Sequence, residues 1–384
     1  MTSEVRVHES ASVVDTTDMA GAVDAADVVG PAEVRGAADV VGPAEMTGVA
    51  GMMRAADVTG GLGLRSETAE RLQAVGLDEA AVVRAVRAAL DEDFRYGPDV
   101  TSAATVAGRT VTAEVVAREP GVLAGVPVAL AVLDLIVGYL GGNDAGDDDR
   151  NRATGSRVVA TMLVVDGERI GLGEAVLRVS GPATAVLGAE RTMLNFLTHL
   201  SGIATATRAW ADAIAGTEAV VRDTRKTTPG LRALEKYAVR CGGGRNHRMG
   251  LGDAALIKDN HVAAAGGVTE AVTAVRSAAA RATGGRSAGG GLVVEVECDS
   301  LAQVREALAA GARFMLLDNM DTDSLRAAVA VARAYDDVWL EASGGLRLSN
   351  AREVAETGVD YLSVGALTHS SRALDLGLDF AAEG

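Results

Sequence analysis

LVVEVECDSLAQVREALAAGARFMLLD, residues 292 to 318, decides the fold. Its two ends, Leu292–Glu297 and Arg313–Asp318, are short aliphatic runs rich in β-branched residues, and between them Leu301–Ala310 carries apolar residues at helical spacing. The same alternation extends both ways. Ala219–Asp223, Ala255–Lys258, Val338–Ala342 and Tyr361–Val364 read as further strands, with helices over Val268–Ala282, Ser324–Ala334 and Asn350–Thr357. Strand followed by helix, repeated, means a parallel sheet, and six such units predict an α/β fold containing an open, incomplete β/α barrel. Lys226, Lys258, Glu297, Asp318, Ser343 and Gly365 each fall at or just past a strand's carboxyl end. In a β/α barrel that end carries the active site. Asp299, Ser300 and Asp323 read as caps of the following helices. A Lys or Glu is a poor cap, so Lys226, Lys258 and Glu297 need another explanation.

Charge sharpens the picture. The 384 residues carry a formal charge of −16, which excludes a general binder of nucleic acid or anionic membrane. Yet the stretch from Asp223 to Lys258 has a local balance of +5. A basic island in so acidic a chain suits a polyanionic substrate held in a local pocket. Thr228 and Pro229 read as the cap and first turn of a helix. On it, Arg232, Lys236 and Arg240 recur every four residues, which fits either a solvated face or a pocket wall. Gly242–Gly244, followed by Arg245, Asn246, His247 and Arg248, is expected to expose N–H groups beside three bases, an arrangement able to hold phosphate or carboxylate. His247 is either a structural histidine or a ligand contact. Glu297 and Asp318, on successive strand ends, fit a hard cation bridged to pyrophosphate, hydrogen bonds to ribose hydroxyls, or buried partners for the lysines.

The rest of the chain sets bounds. Cys241 and Cys298 make neither a disulfide framework nor a zinc site, which points to a reducing cytosol. The first ten residues lack a basic leader followed by an apolar stretch, so secretion is not expected. Gly121–Leu140 is apolar enough to resemble a membrane span, but Pro127 and Asp134 favour a buried turn and helix. Residues 1–64 hold a twelve-residue repeat, AADVVGPAEVRG then AADVVGPAEMTG, and read as a disordered low-complexity tail. Gly141–Gly155 and Thr283–Gly291 read as exposed loops. Glu79–Leu90 reads as the first strongly amphipathic helix of the folded part.

The stretch DTRKTTPGLRALEKYAVRCGGGRNHRMGLGDAALIKDNH, Asp223 to His261, resembles the signature of quinolinate phosphoribosyltransferases. ERTMLNFLTHLSGIAT at 190–205 is similar to the family's preceding helix. EVE at 295–297, LLDNM at 316–320, EASGG at 341–345 and SVGALTHS at 363–370 continue the likeness, as do EDFRYGPDVTS at 92–102 and GVLAG at 121–125. The resemblance covers about residues 66 to 382. It implies a type II phosphoribosyltransferase fold: an amino-terminal α/β sandwich over 66–183, rejoined by 370–384, and an open barrel over 184–369. It implies that quinolinate and phosphoribosyl pyrophosphate become nicotinate mononucleotide, pyrophosphate and carbon dioxide, a step of NAD biosynthesis. The alternative is a paralogue associated with molybdate transport that uses another acceptor. By position, Arg191, Arg225, His247, Arg248 and Lys258 would hold the quinolinate carboxylates and neighbouring phosphate, with Thr224 and Lys226 alongside. Glu297 and Asp318 would serve the ribose and a magnesium ion on the pyrophosphate, and Lys226, Lys258, Glu297 and Asp318 form the expected catalytic set. Ser343, Gly344, Gly345, Val364, Gly365 and Ala366 would hold the 5′-phosphate. The likeness also implies a cytoplasmic homodimer, with a hexamer left open, in which Arg191 reaches the neighbouring subunit's site.

Overall fold

A computed structural model describes residues 63–140, 158–282 and 292–381. The repeat segment up to residue 62 and the two loops read from the sequence, over 141–155 and 283–291, lie outside the described residues. Three helices open the described chain: α1 (Ser66–Ala74), α2 (Glu79–Asp93) and α3 (Val100–Thr105). Asp78 caps α2 through the Ala81 N–H, and its buried stripe is Val82, Val86 and Leu90. After β1 (Thr110–Ala117) and β2 (Gly121–Val122) comes α4 (Val126–Leu135), with Pro127 in its first turn. Nine of its ten residues are buried. Asp134, the tenth, ion-pairs with Arg65 and accepts that residue's N–H at 3.0 Å. No described helix is long and apolar enough to cross a membrane.

After α5 (Val137–Leu140), the strands β3 (Val159–Met162), β4 (Arg169–Ile170) and β5 (Ala175–Pro182) complete the first part of the fold. A 31-residue helix, α6 (Ala183–Ala213), then runs roughly 46 Å into the second part. There β6 (Val220–Arg222), α7 (Arg232–Cys241), β7 (Ala254–Ile257), α8 (Asp259–Ala265), α9 (Val268–Ala282), β8 (Val293–Cys298), α10 (Leu301–Ala309), β9 (Phe314–Asp318), α11 (Thr322–Ala332), β10 (Trp339–Ser343), α12 (Ala351–Ala355), β11 (Tyr361–Ser363) and α13 (Ala366–His369) alternate. The final strand, β12 (Leu376–Phe380), pairs antiparallel with β1.

Beside a two-stranded pairing of β2 with β4, the two larger sheets differ in kind. The first, ordered β12-β1-β5-β3, pairs antiparallel throughout. The second is parallel and ordered β6-β11-β10-β9-β8-β7, so β6 and β7 are its edges and the barrel is open between them. A single bridge, Arg222 to Arg245, lays the segment after α7 along the β6 edge. Gly202 in α6 shows how the chain returns to the first sheet: a Cβ there would lie 2.2 Å from the Arg372 carbonyl oxygen. Only glycine permits that approach, and the Leu374 N–H meets the Thr198 carbonyl at 2.9 Å beside it.

Two helix starts differ from the sequence reading. Helix α7 begins at Arg232, not after Thr228, because Gly230 turns the chain at a φ of 83° and Leu231 occupies the cap position. Ser300 caps α10 as expected, but α11 is capped by Asp321, which accepts the Ser324 N–H at 2.8 Å, rather than by Asp323.

Candidate active site

The carboxyl ends of the parallel strands gather the acidic and small residues singled out from the sequence. Lys258 follows β7 and its Nζ lies 3.2 Å from Oε2 of Glu297 on β8. Asp318 ends β9, in register with Ser343 at the end of β10. Past Ser343 the chain turns through Gly344 and Gly345, at φ of 85° and 62°. A Cβ on Gly344 would meet the Asn319 side chain at 2.2 Å, and Asn319 itself holds a φ of 53°. Its amide donates to the Ser343 carbonyl at 2.9 Å. At the end of β11, the Val364 N–H bonds to the Arg222 carbonyl, which brings Gly365 and Ala366 beside the β6 exit. A Cβ on Gly365 would lie 3.0 Å from Lys226 Cδ and 3.4 Å from Thr224 Oγ1. Among the described residues, the amides of Gly344, Gly345, Gly365 and Ala366 donate no hydrogen bond.

Arg225 and Arg248 form the basic pair of this rim. Burial, and then the Arg225 charge, push the Arg248 guanidinium below its usual range. Nε of Arg225 is buried without a partner. Arg248 donates to the Ala254 carbonyl at 3.0 Å. A guanidinium with an unused buried donor beside a second guanidinium is an arrangement able to receive an anion. Arg191 stands apart. It is exposed on α6 and makes no hydrogen bond or ion pair among the described residues.

The glycine run behaves differently from its sequence reading. The N–H groups of Gly242, Gly243 and Gly244 donate to the carbonyls of Ala238, Arg240 and Val239, closing the end of α7. A Cβ at Gly242 would lie 2.5 Å from the Ala204 carbonyl oxygen, and one at Gly244 would lie 2.9 Å from Thr207. These glycines let the turn pack against α6, and their amides are not free for an anion. Nor is the basic stripe of α7 a solvated face or a pocket wall. Arg232 donates to Thr227 Oγ1 at 3.0 Å and the Met249 carbonyl at 2.9 Å. Lys236 is fully buried against Asp223. Arg240 binds Asn246 Oδ1 and the Val75 carbonyl, each at 2.8 Å.

His247 is buried, and both ring nitrogens have partners inside the protein. Nδ1 accepts the Arg248 N–H at 2.7 Å, and Nε2 lies 2.9 Å from Glu295 and 3.6 Å from Oε1 of Glu341. His247, Glu295 and Glu341 are near enough to hold a metal ion, but Arg222 already ion-pairs with Glu341 and lies 4.5 Å over the Tyr361 ring. Burial and the Glu295 charge push the Glu341 carboxyl up. For Glu295, burial is outweighed by the His247 bond and the nearby arginines, which hold it down. This layer of charge below the rim was missed from the sequence. The two-residue strand period could have found it, since Glu295 shares a face with Glu297, and Glu341 with Ser343.

A groove of about 340 Å³ lies elsewhere, between α2, α6 and the 228–231 turn. Asp93, Thr192, Asn195 and His199 line it, and none of the strand-end residues does. His199 there is satisfied by buried Glu235 at 2.9 Å.

An open parallel barrel with acids, lysines, paired arginines and free amides at one end defines a class: an enzyme acting on phosphorylated, carboxylated small molecules. Residues 99–201 match the quinolinate phosphoribosyl transferase N-terminal domain, and residues 203–379 match the C-terminal domain. The chain is 53% identical over 298 residues to the nicotinate-nucleotide pyrophosphorylase (carboxylating) of Mycobacterium leprae, covering 77% of this chain and 95% of that one. A probable enzyme of the same name from Bacillus subtilis is 39% identical, over 75% and 89% of the two chains. The solved nicotinate-nucleotide pyrophosphorylase of Francisella tularensis superposes with a TM-score of 0.68 at 36% identity, over 79% and 98% of the chains. This chain belongs to the quinolinate phosphoribosyltransferase family.

Proposed function

We propose that the rim formed by Lys226, Lys258, Glu297 and Asp318 transfers the phosphoribosyl group of phosphoribosyl pyrophosphate to quinolinate, with loss of carbon dioxide. The activity is that of a pentosyltransferase yielding nicotinate mononucleotide, and the molybdate-associated alternative finds no support among the relatives. The observation that carries the reading is the Arg225 Nε, buried without a partner near Arg248, for which an aromatic dicarboxylate would supply the missing acceptor.

In this reading Arg225, Arg248 and Lys258 orient the quinolinate carboxylates, with Thr224 and Lys226 beside the phosphoribosyl group. His247, satisfied on both ring nitrogens, serves by seating the Arg248 amide. The free amides of Gly344, Gly345, Gly365 and Ala366, with Ser343 and Val364, hold the 5′-phosphate. Glu297 and Asp318 fit a magnesium ion, because each keeps one carboxylate oxygen without a protein partner among the described residues and they stand on adjacent strands. Bound there with the substrate, the ion would neutralise charge on the departing pyrophosphate.

The pyridine nitrogen attacks the anomeric carbon as the bond to pyrophosphate breaks, while Glu297 and Asp318 tolerate the cationic ribose. Ribosylation leaves the pyridine nitrogen positively charged. The adjacent carboxylate then departs as carbon dioxide, its electron pair stabilised by that nitrogen until a proton replaces it. The protein's task is orientation and charge placement, which can supply several kcal/mol. A homodimer in the cytoplasm, whose Arg191 reaches the partner's site, completes the proposal, as does the division into 66–183 with 370–384 and 184–369.

Calorimetric titration tests the dicarboxylate reading. Quinolinate should bind at least about tenfold more tightly than nicotinate, which lacks the second carboxylate, a difference of about 1.4 kcal/mol. Equal affinities would remove the arginine pair from carboxylate recognition.

A further inference from the structure

Asp223 is the residue before the Thr224–Lys226 run, and it is completely enclosed. Its carboxylate accepts from Lys236 Nζ, from the His247 N–H at 2.8 Å and from Asn246 Nδ2 at 2.6 Å. Lys236, equally enclosed, also donates to the His247 carbonyl at 2.9 Å. Both backbone polar groups of His247 are thus gripped by one ion pair. Asn246 adds a strut to the Lys236 carbonyl at 2.8 Å.

The location matters more than the bonds. The Arg245 amide bonds to the Val221 carbonyl at 2.8 Å and the Asp223 amide to the Arg245 carbonyl at 3.2 Å, so the two segments run side by side at the open edge of the barrel. Where this backbone pairing stops, the Asp223–Lys236 pair takes over. Arg225 lies two residues beyond Asp223, and Arg248 one residue beyond the His247 backbone that the pair grips. Burial pushes the Asp223 carboxyl up and the Lys236 ammonium down, each opposing its partner's attraction. An apolar pair would fill such a place at no such cost, so stability alone does not account for it.

We propose that Asp223 and Lys236 are positioning residues for the transfer reaction, setting the spacing of Arg225 and Arg248 and through it the affinity for the dicarboxylate substrate. The inference rests on the reading of those arginines as quinolinate contacts.

The experiment uses the full chain carrying Asp223→Asn with Lys236→Met, which removes both charges together and avoids a lone buried ion. Its melting temperature should stay within a few degrees of wild type while KM for quinolinate rises at least about tenfold and KM for phosphoribosyl pyrophosphate stays within about twofold. A folded double variant with wild-type KM for quinolinate, or with both KM values raised alike, overturns the proposal. Should that variant fail to fold, Asn246→Ser decides. It removes the Asn246 bonds to the Asp223 carboxylate, the Lys236 carbonyl and Arg240 while the Asp223–Lys236 ion pair keeps both its charges, so a rise of about threefold in KM for quinolinate supports the proposal and an unchanged KM overturns it. A wild-type enzyme inactive on quinolinate would instead sink the reading of the activity, before any variant is made.

Discussion

Two groups of cations share the stretch from Arg225 to Arg248, and the protein treats them oppositely. Arg232, Lys236 and Arg240 on α7 spend their donors inward, on loop carbonyls, Asp223 and Asn246. Arg225, past the β6 end, keeps its buried Nε without a partner, and burial and then the Arg225 charge hold the Arg248 guanidinium below its usual range. Cations saturated by the chain hold the fold in place. Cations left wanting mark where a ligand supplies what is missing. The acids divide in the same way: Glu295 and Glu341 are buried with Arg222 and His247, whereas Glu297 and Asp318 are partly exposed above them.

The comparison breaks most readily at the rim. Lys258→Ala and Glu297→Ala are each expected to lower kcat/KM by at least about 10²-fold, roughly 2.7 kcal/mol of transition-state stabilisation, with little change in melting temperature. Full turnover by a folded variant of either removes that residue from the site. Arg191→Ala and Lys226→Ala should each be nearly inactive alone. Mixed in equal amounts after dissociation, they should recover about a quarter of wild-type activity, since half the dimers then carry one intact site. A mixture that exchanges subunits, confirmed by mass, and stays inactive puts Arg191 outside the partner's site.

Arg248→Met sharpens the contrast between saturated and unsaturated cations. Removing a group that Arg225 repels should leave unfolding free energy within about 1 kcal/mol of wild type while quinolinate affinity collapses. A large loss of stability measured by urea unfolding would place Arg248 with the structural cations instead. The smallest effect lies far from the rim. Asp99 caps α3 by accepting the Thr101 and Ser102 N–H groups, and its hydrogen bonds with Ser102 hold the carboxyl below its ordinary 3.8. Asp99→Ala should cost about 1 kcal/mol. Because the folded carboxyl is the stronger acid, that contribution is present above the ordinary value and fades as pH falls through the lowered one. Urea unfolding at pH 7 and pH 3 checks the sign: an equal cost at both would rule out the charged cap.

The barrel was legible because its strands are short apolar runs ended by charge. Glu297, Asp318 and Ser343 stand near the strand ends where the alternation put them. The start of α7 was misread because Thr228–Pro229 carries a cap pattern that Gly230 overrides by turning the chain. The Gly242–Gly244 run has the composition of an anion loop. What decides its role is the close approach of Ala204 and Thr207, almost forty residues upstream, which no local pattern displays. For Lys236 the helical spacing was right and the surroundings were not: a buried lysine and a solvated one look alike until Asp223 is found beside it.

Quinolinate labelled in the carboxyl group next to the nitrogen provides the most direct test. With phosphoribosyl pyrophosphate and magnesium present, the account predicts labelled carbon dioxide, pyrophosphate and nicotinate mononucleotide in equal amounts, and no carbon dioxide when either substrate is left out. Carbon dioxide released without phosphoribosyl pyrophosphate, or pyrophosphate released without quinolinate at the same rate, would contradict it.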